Sequence, residues 1–216
     1  MCKCFQIVDE SDLCCIGKLN DLVTNDHKPL SKIFRIDICF LKYFSGREFN
    51  AAAPNERWIG DTTELLIPGG RLFLAVIVDL YSRFVVGWAL SAVNDRHLTI
   101  RALDMALRRR CPDAGLLHHS DQGSTYASED YQAILAAHGI TCSMSRRGNC
   151  YDNAAMESWF STLKSELGER FETAGQAKEQ LFDYIEVFYN QQRMHSAIGY
   201  ASPAEFERAA VVRAAA

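Results

Sequence analysis

Residues 58–90 read WIGDTTELLIPGGRLFLAVIVDLYSRFVVGWAL, and the fold turns on this stretch. Trp58 to Ile67 reads as a strand, and Pro68-Gly69-Gly70 is a turn signal. Leu72 to Val78 is a near-continuous apolar run rich in Val and Ile, the pattern of a strand buried on both faces. Phe84 to Leu90 supplies a third strand. Three strands with short connections predict an antiparallel meander.

Downstream the period changes from two to that of a helix. A helix is predicted over about Asp95–Arg110, where Ile100, Leu103 and Leu107 share one face. A short strand (Gly115–His119), a helix (Ser128–His138) and a strand (Ile140–Met144) follow. The loop Arg146–Tyr151 then leads into a long helix over about Asn153–Arg170, with Met156, Phe160, Leu163 and Leu167 as its apolar stripe. A last helix, about Gly175–Arg193, is expected to bury Ala177, Leu181, Tyr184 and Phe188. This element order is that of the α/β ribonuclease H-like fold, a central mixed sheet with helices on both faces. Upstream, residues 47–57 read as a linker, with Pro54 biasing its predecessor to extended geometry. Residues 1–46 show no period and form an atypical segment. The core therefore spans 47–208, followed by an alanine-rich tail, 209–216.

The 216 residues are 48% hydrophobic and 23% charged, the composition of an ordinary globular protein. A net charge of −4 argues against coating nucleic acid by bulk charge, but it permits a local basic stripe beside a carboxylate cluster. The opening MCKCFQIVDE has no basic region followed by a long apolar run, so no signal peptide is expected. The apolar run ending at Leu80 is broken by Asp79 and falls short of the about 20 residues a membrane span needs. A cytoplasmic protein with no membrane partner is expected. Five of the eight cysteines (Cys2, Cys4, Cys14, Cys15 and Cys39) precede residue 40; free thiols are expected, and the spacings fit no common zinc finger.

Three acids stand out by placement. Asp61 lies inside an apolar strand, Asp121 follows a strand end, and Glu157 lies in the first turns of the long helix. Carboxylates converging from separate elements are what a two-ion phosphoryl-transfer site needs, and oxygen ligands suit Mg2+ or Mn2+. Seven residues beyond Glu157, Lys164 returns to nearly the same helix face and could meet a DNA phosphate. Structural readings stand beside these: Glu157 as a partner of the helix dipole, Asp121 as a turn residue. An unpaired acid buried at Asp61 is harder to explain structurally. Asp79 reads as a strand-end or turn acid, His118 and His119 as structural, and Arg108–Arg110 as partners of a helix C-terminus. Arg146 and Arg147, in the loop before the long helix, are candidate DNA contacts.

At this point the residues resemble a known family. The stretches AAAPNERWIGDTTE, LAVIVDLYSRFVVGWAL, LLHHSDQGSTYAS, SMSRRGNCYDNAAMESWFSTLKSEL and YIEVFYNQQRMHSAIGYASPAEFE are similar to bacterial insertion-sequence transposases of the second-reading-frame type, which share the retroviral-integrase catalytic core. The 35 residues between Asp121 and Glu157 match that family's interval. The resemblance implies that Asp61, Asp121 and Glu157 are the metal-binding catalytic triad and that Lys164 approaches the DNA end. It places Arg193, His195 and Ser196 in a C-terminal signature of underived role; on the residues alone, Arg193 or His195 is a candidate phosphate contact, beside the structural reading of cations at a helix C-terminus. It implies a transposase that cleaves DNA ends and joins them to a target, a homo-oligomer in a synaptic complex, and a first-reading-frame DNA-binding protein as partner. Residues 1–46 do not resemble the family's DNA-recognition segment, so a truncated or fragmentary copy is expected. Two alternatives remain: a catalytically silent DNA-binding remnant, and a nuclease of the same fold.

Overall fold

The computed structural model describes residues 51–145 and 154–214. The expectations for residues 1–46, for the five early cysteines and for Arg146 and Arg147 lie outside them. Within the described residues the chain forms strands β1 (Arg57–Ile67), β2 (Gly70–Asp79) and β3 (Val85–Ser91), then helix α1 (Arg96–Arg110). Strand β4 (Leu117–Ser120), helix α2 (Glu129–Ala137) and strand β5 (Thr141–Met144) follow. Helix α3 (Ala154–Glu166), helix α4 (Ala174–Phe182), a π-helical segment (Asp183–Tyr189), a 3-10 turn (Ser196–Ile198) and helix α5 (Pro203–Ala214) complete the order.

The strands form one mixed sheet in the order β3-β2-β1-β4-β5. The predicted meander is present: β1 pairs with β2 and β2 with β3, both antiparallel. The hairpin between β1 and β2 turns on Gly69, whose φ of 77° a side chain would resist. β4 joins β1 in parallel, and β5 joins β4 in parallel. Two cores sandwich this sheet. Trp58, Ala75 and Ile77 on one face pack with Leu98, Ala102, Leu103 and Ala106 of α1 and Tyr131 and Leu135 of α2. On the other face Ile59, Leu65, Leu74 and Val76 pack with Met156, Trp159, Phe160 and Leu163 of α3, and with Leu181, Ile185 and Tyr189 beyond it. The alternation Trp58 to one core and Ile59 to the other is the period of a strand buried on both sides.

Three element expectations need correction. On α1, Ile100 is half-buried at the core margin, and Leu98, Ala102 and Ala106 fill the interior instead. The long helix is shorter than expected, ending at Glu166. Gly168 (φ 95°) lets the chain reverse, and Leu66 of β1 then takes the backbone: its N–H donates to Glu169 and its carbonyl accepts from Phe171. The last helix changes pitch at Asp183. The wider π turn brings Ile185 and Tyr189 inward and leaves Phe188 41% exposed, where a uniform 3.6-residue pitch predicted burial.

Candidate active site

The register of β1 and β4 builds the site. Trp58 pairs with His118, Ile59 with His119 and Gly60 with Ser120, so Asp61 and Asp121 come next on adjacent parallel strands, whose spacing is about 4.8 Å. Asp61 shares a strand face with Ile59, the face that α3 covers. Both acids are half-buried. Asp61 Oδ1 accepts from the Thr62 N–H at 2.7 Å, and Asp121 Oδ1 accepts from the Gly123 N–H at 3.0 Å. A Cβ on Gly123 would stand 2.9 Å from that carboxylate oxygen, so a side chain there would push the Asp121 carboxylate aside. Tyr126 reports on both acids. Burial pushes its phenol well above the ordinary range, and the charges of Asp61 and Asp121 both add to the rise. Its hydroxyl sits 3.3 Å from Thr62 Oγ1.

His119 shares the face of Asp121 and is held by Ser143 Oγ at 3.0 Å and Ser145 Oγ at 3.3 Å. His118 faces the opposite core, fully buried, with Nε2 2.7 Å from the Tyr131 hydroxyl. Burial holds its imidazole down at about 3, so it is neutral. The deeply buried acid of β1 and β2 is Asp79, not Asp61. Asp79 accepts from the backbone N–H groups of Asn55 and Tyr81, and burial raises its carboxyl. That is the turn role its position predicted.

Glu157 is exposed on the first turn of α3, with Lys164 two turns along. Lys164 pairs with Glu169 at 3.5 Å across a half-exposed surface, where an ion pair contributes at most about 1 kcal/mol. Among the described residues no group of three or more His, Cys, Asp or Glu stands close enough to hold a metal ion. The β1–β4 register sets Asp61 and Asp121 at matching positions, and Glu157 stands on the first turn of the helix that covers that face. Two half-buried carboxylates fit a hard divalent cation as a partial oxygen donor set.

Arg193 is committed elsewhere. Its guanidinium grips Glu166 at 2.7–3.0 Å, and Glu166 also accepts from the Tyr184 hydroxyl at 2.7 Å. The Arg193 hydrogen bonds, opposed by partial burial, hold the Glu166 carboxyl below its usual range. Arg108, Arg109 and Arg110 likewise face Asp104, Glu186 and Glu207 at 2.7–2.9 Å.

The sequence reading missed Asn190 and Ser202. Buried Asn190 accepts from Val85 N–H at 2.8 Å and donates to Val85 C=O at 3.1 Å, occupying backbone groups of edge strand β3. Ser202 and Glu205 form a reciprocal cap for α5: each side chain accepts from the other's N–H. The Ser-Pro-Ala-Glu spacing at residues 202–205 is a capping-box signal and could have revealed it.

The comparisons with known proteins agree with this fold. Residues 51–150 and 138–203 match two families, each described as an integrase core domain. A subunit of the simian T-cell lymphotropic virus intasome in complex with PP2A regulatory subunit B56 gamma is 16% identical, with a TM-score of 0.58, covering 73% of this chain and 56% of that one. The catalytic core domain of BIV integrase is 17% identical with a TM-score of 0.54, covering 75% of this chain and 99% of that one. At this identity they establish the fold, which is that of an integrase catalytic core. The transposase for insertion sequence element IS904 of Lactococcus lactis is 46% identical over 162 residues, 74% of this chain and 64% of that protein. Transposase InsF for insertion sequence IS3A of Escherichia coli K12 is 45% identical over 163 residues, 74% and 57% respectively. The chain belongs to the insertion-sequence transposases that carry this integrase core. It spans about three fifths of the length of these curated relatives.

Proposed function

We propose that this chain is the catalytic part of a transposase that cuts DNA at an element's ends and joins the freed ends to a target. The observation that carries this reading is the parallel register setting Asp61 beside Asp121 on the sheet face under α3. Glu157 completes the donor set from the first turn of α3, whose Met156 and Phe160 already lie against that face.

Two Mg2+ or Mn2+ ions, when bound, would activate an attacking oxygen and stabilise a leaving one. Asp61, Asp121 and Glu157 would hold them and orient the scissile phosphate between them. In the first step water attacks phosphorus, the P–O3′ bond breaks, and a 3′-hydroxyl and a 5′-phosphate result. In the second, that hydroxyl attacks a phosphodiester of another strand, loses its proton, and displaces that strand's 3′-oxygen, which takes up a proton. The cations Lys164, Arg146 and Arg147 would contact DNA phosphates, whereas Arg193 stays with Glu166. Lys164 would exchange its weak pairing with Glu169 for a phosphate oxygen. By its resemblance to insertion-sequence transposases, the chain would act as a synaptic homo-oligomer together with a first-reading-frame DNA-binding protein.

Labelled element-end DNA, incubated with Mg2+ or Mn2+ and the chain or its Glu157→Gln variant, tests this. Metal-dependent nicking and joining, lost in the variant, is expected. Nicking without joining would identify a nuclease. DNA binding without either would identify a silent remnant.

A further inference from the structure

A cleft of about 710 Å3 opens between α3 and the segment 193–200, and nothing in the reaction described above uses it. Ile59 forms part of its floor, two residues before Asp61 on the same strand face, so it begins beside the carboxylate pair. Its walls include Arg83, Trp159, Tyr189, Arg193, His195 and Tyr200. No Asp or Glu lines it among the described residues.

Two of these residues hold strained backbone. Four described non-glycine residues have positive φ, and Arg83 (66°) and Tyr200 (60°) are both in this wall. Such conformations persist where the surroundings impose them, and they concentrate at functional sites. Arg83 is half-buried, and no ion pair to it occurs among the described residues. Arg193 is neutralised by Glu166, so Arg83 supplies the cleft's cation. Arg193 Nη1 lies 3.3 Å from His195 Nδ1, and an arginine only donates, so Nδ1 accepts and Nε2 carries the hydrogen. That Nε2 is itself buried and has no hydrogen-bond partner among the described residues. The aromatic side is built by Tyr189, edge-on to His195 at 4.8 Å and to Trp159 at 5.5 Å, with Tyr200 71% exposed at the rim.

We propose that this cleft is a nucleotide subsite that takes an unpaired nucleotide of the DNA substrate, its phosphate on Arg83 and its base against Tyr200 and the aromatic wall. The cation and aromatic rings match the two faces of a nucleotide, and the absence of lining carboxylates favours an anion. An acidic peptide would satisfy Arg83 but leave the aromatic wall unused. The proposal rests on the DNA-processing reading above and deepens it.

The test uses the full chain in a metal chelator, so that no chemistry occurs. A blunt duplex is compared with the same duplex carrying a short single-stranded overhang that contains 2-aminopurine. The overhang is expected to raise affinity about tenfold, and its fluorescence to be quenched on binding, as base stacking on an aromatic surface predicts. Glycine suits a positive φ, so Arg83→Gly and Tyr200→Gly remove the side chains without straining the backbone. Arg83→Gly should abolish the preference and Tyr200→Gly the quenching, with blunt-duplex affinity held within about twofold. Equal wild-type binding of both duplexes, or a preference and quenching that survive both substitutions, overturns the subsite and leaves the DNA reading standing. Displacement of the overhang by an acidic peptide but not by a mononucleotide also overturns it. Binding of neither duplex overturns both.

Discussion

Asp61 and Asp121 owe their meeting to backbone register, so their chemistry is separable from stability. Both are half-buried, and each holds one backbone N–H through a carboxylate oxygen that an amide oxygen can replace. Asp61→Asn and Asp121→Asn should each lower metal-stimulated cleavage at least about a hundredfold while the thermal midpoint moves little. Parallel cleavage and melting assays check this; a collapse in stability would make the pair structural. Buried His118 behaves in the opposite way. Its imidazole titrates at about 3 in the folded chain against 6.5 when exposed, so between those values the unfolded state binds more protons. The neutral ring's contribution is complete above pH 6.5 and is lost as pH falls toward 3, by up to about 1.4 kcal/mol per pH unit. Denaturant titrations across that window should show the loss, and His118→Gln should flatten the slope. Single residues were legible unevenly. Asp121 and Glu157 were picked out by position, and Asp61 by an argument from burial that the structure assigns to Asp79. Asn190 was invisible, because its partner Val85 lies 105 residues away and no local pattern encodes that bond.

At the scale of elements, the close approach of α1 to β3 sets the sheet's outer edge. A Cβ on Gly87 would stand 2.2 Å from the Ala102 carbonyl and 2.8 Å from the Ala106 N–H, both backbone atoms. Gly87→Ala should therefore force helix and strand apart and cost about 2–3 kcal/mol, read from chemical denaturation. An unchanged midpoint would mean that the helix shifts freely. Arg193 offers a second case. Its grip on Glu166 ties the end of α3 to the segment beyond Tyr189, so Arg193→Ala should destabilise the chain by about 1–3 kcal/mol before any effect on DNA. If stability holds and the salt dependence of DNA binding falls instead, the phosphate role governs. The five strands and the first two helices were readable because their apolar period is local. The end of α3 and the pitch change at Asp183 were not. The first depends on Leu66 capturing the chain after Gly168, and the second on a π turn that sequence periodicity at 3.6 residues cannot register.

For the whole molecule, a sheet buried on both faces carries Asp61 within β1 and Asp121 just past the end of β4, on the face covered by the helix that bears Glu157 and Lys164. No described helix is long and apolar enough to cross a membrane. The C-terminal segment is part of this architecture, since Asn190 bonds β3, Arg110 meets Glu207 at 2.7 Å, and the capped α5 begins at Pro203. The matched signature in that segment therefore has a structural share that resemblance alone did not disclose. Under the function proposed above, Asp61 and Asp121 form one half of a divalent-metal centre. Mn2+ binding followed by electron paramagnetic resonance on the full chain tests it without reference to turnover. Wild type should bind Mn2+, and Asp61→Asn and Asp121→Asn should each weaken binding at least about tenfold with the fold intact. Equal Mn2+ affinity in wild type and both variants would contradict the claim.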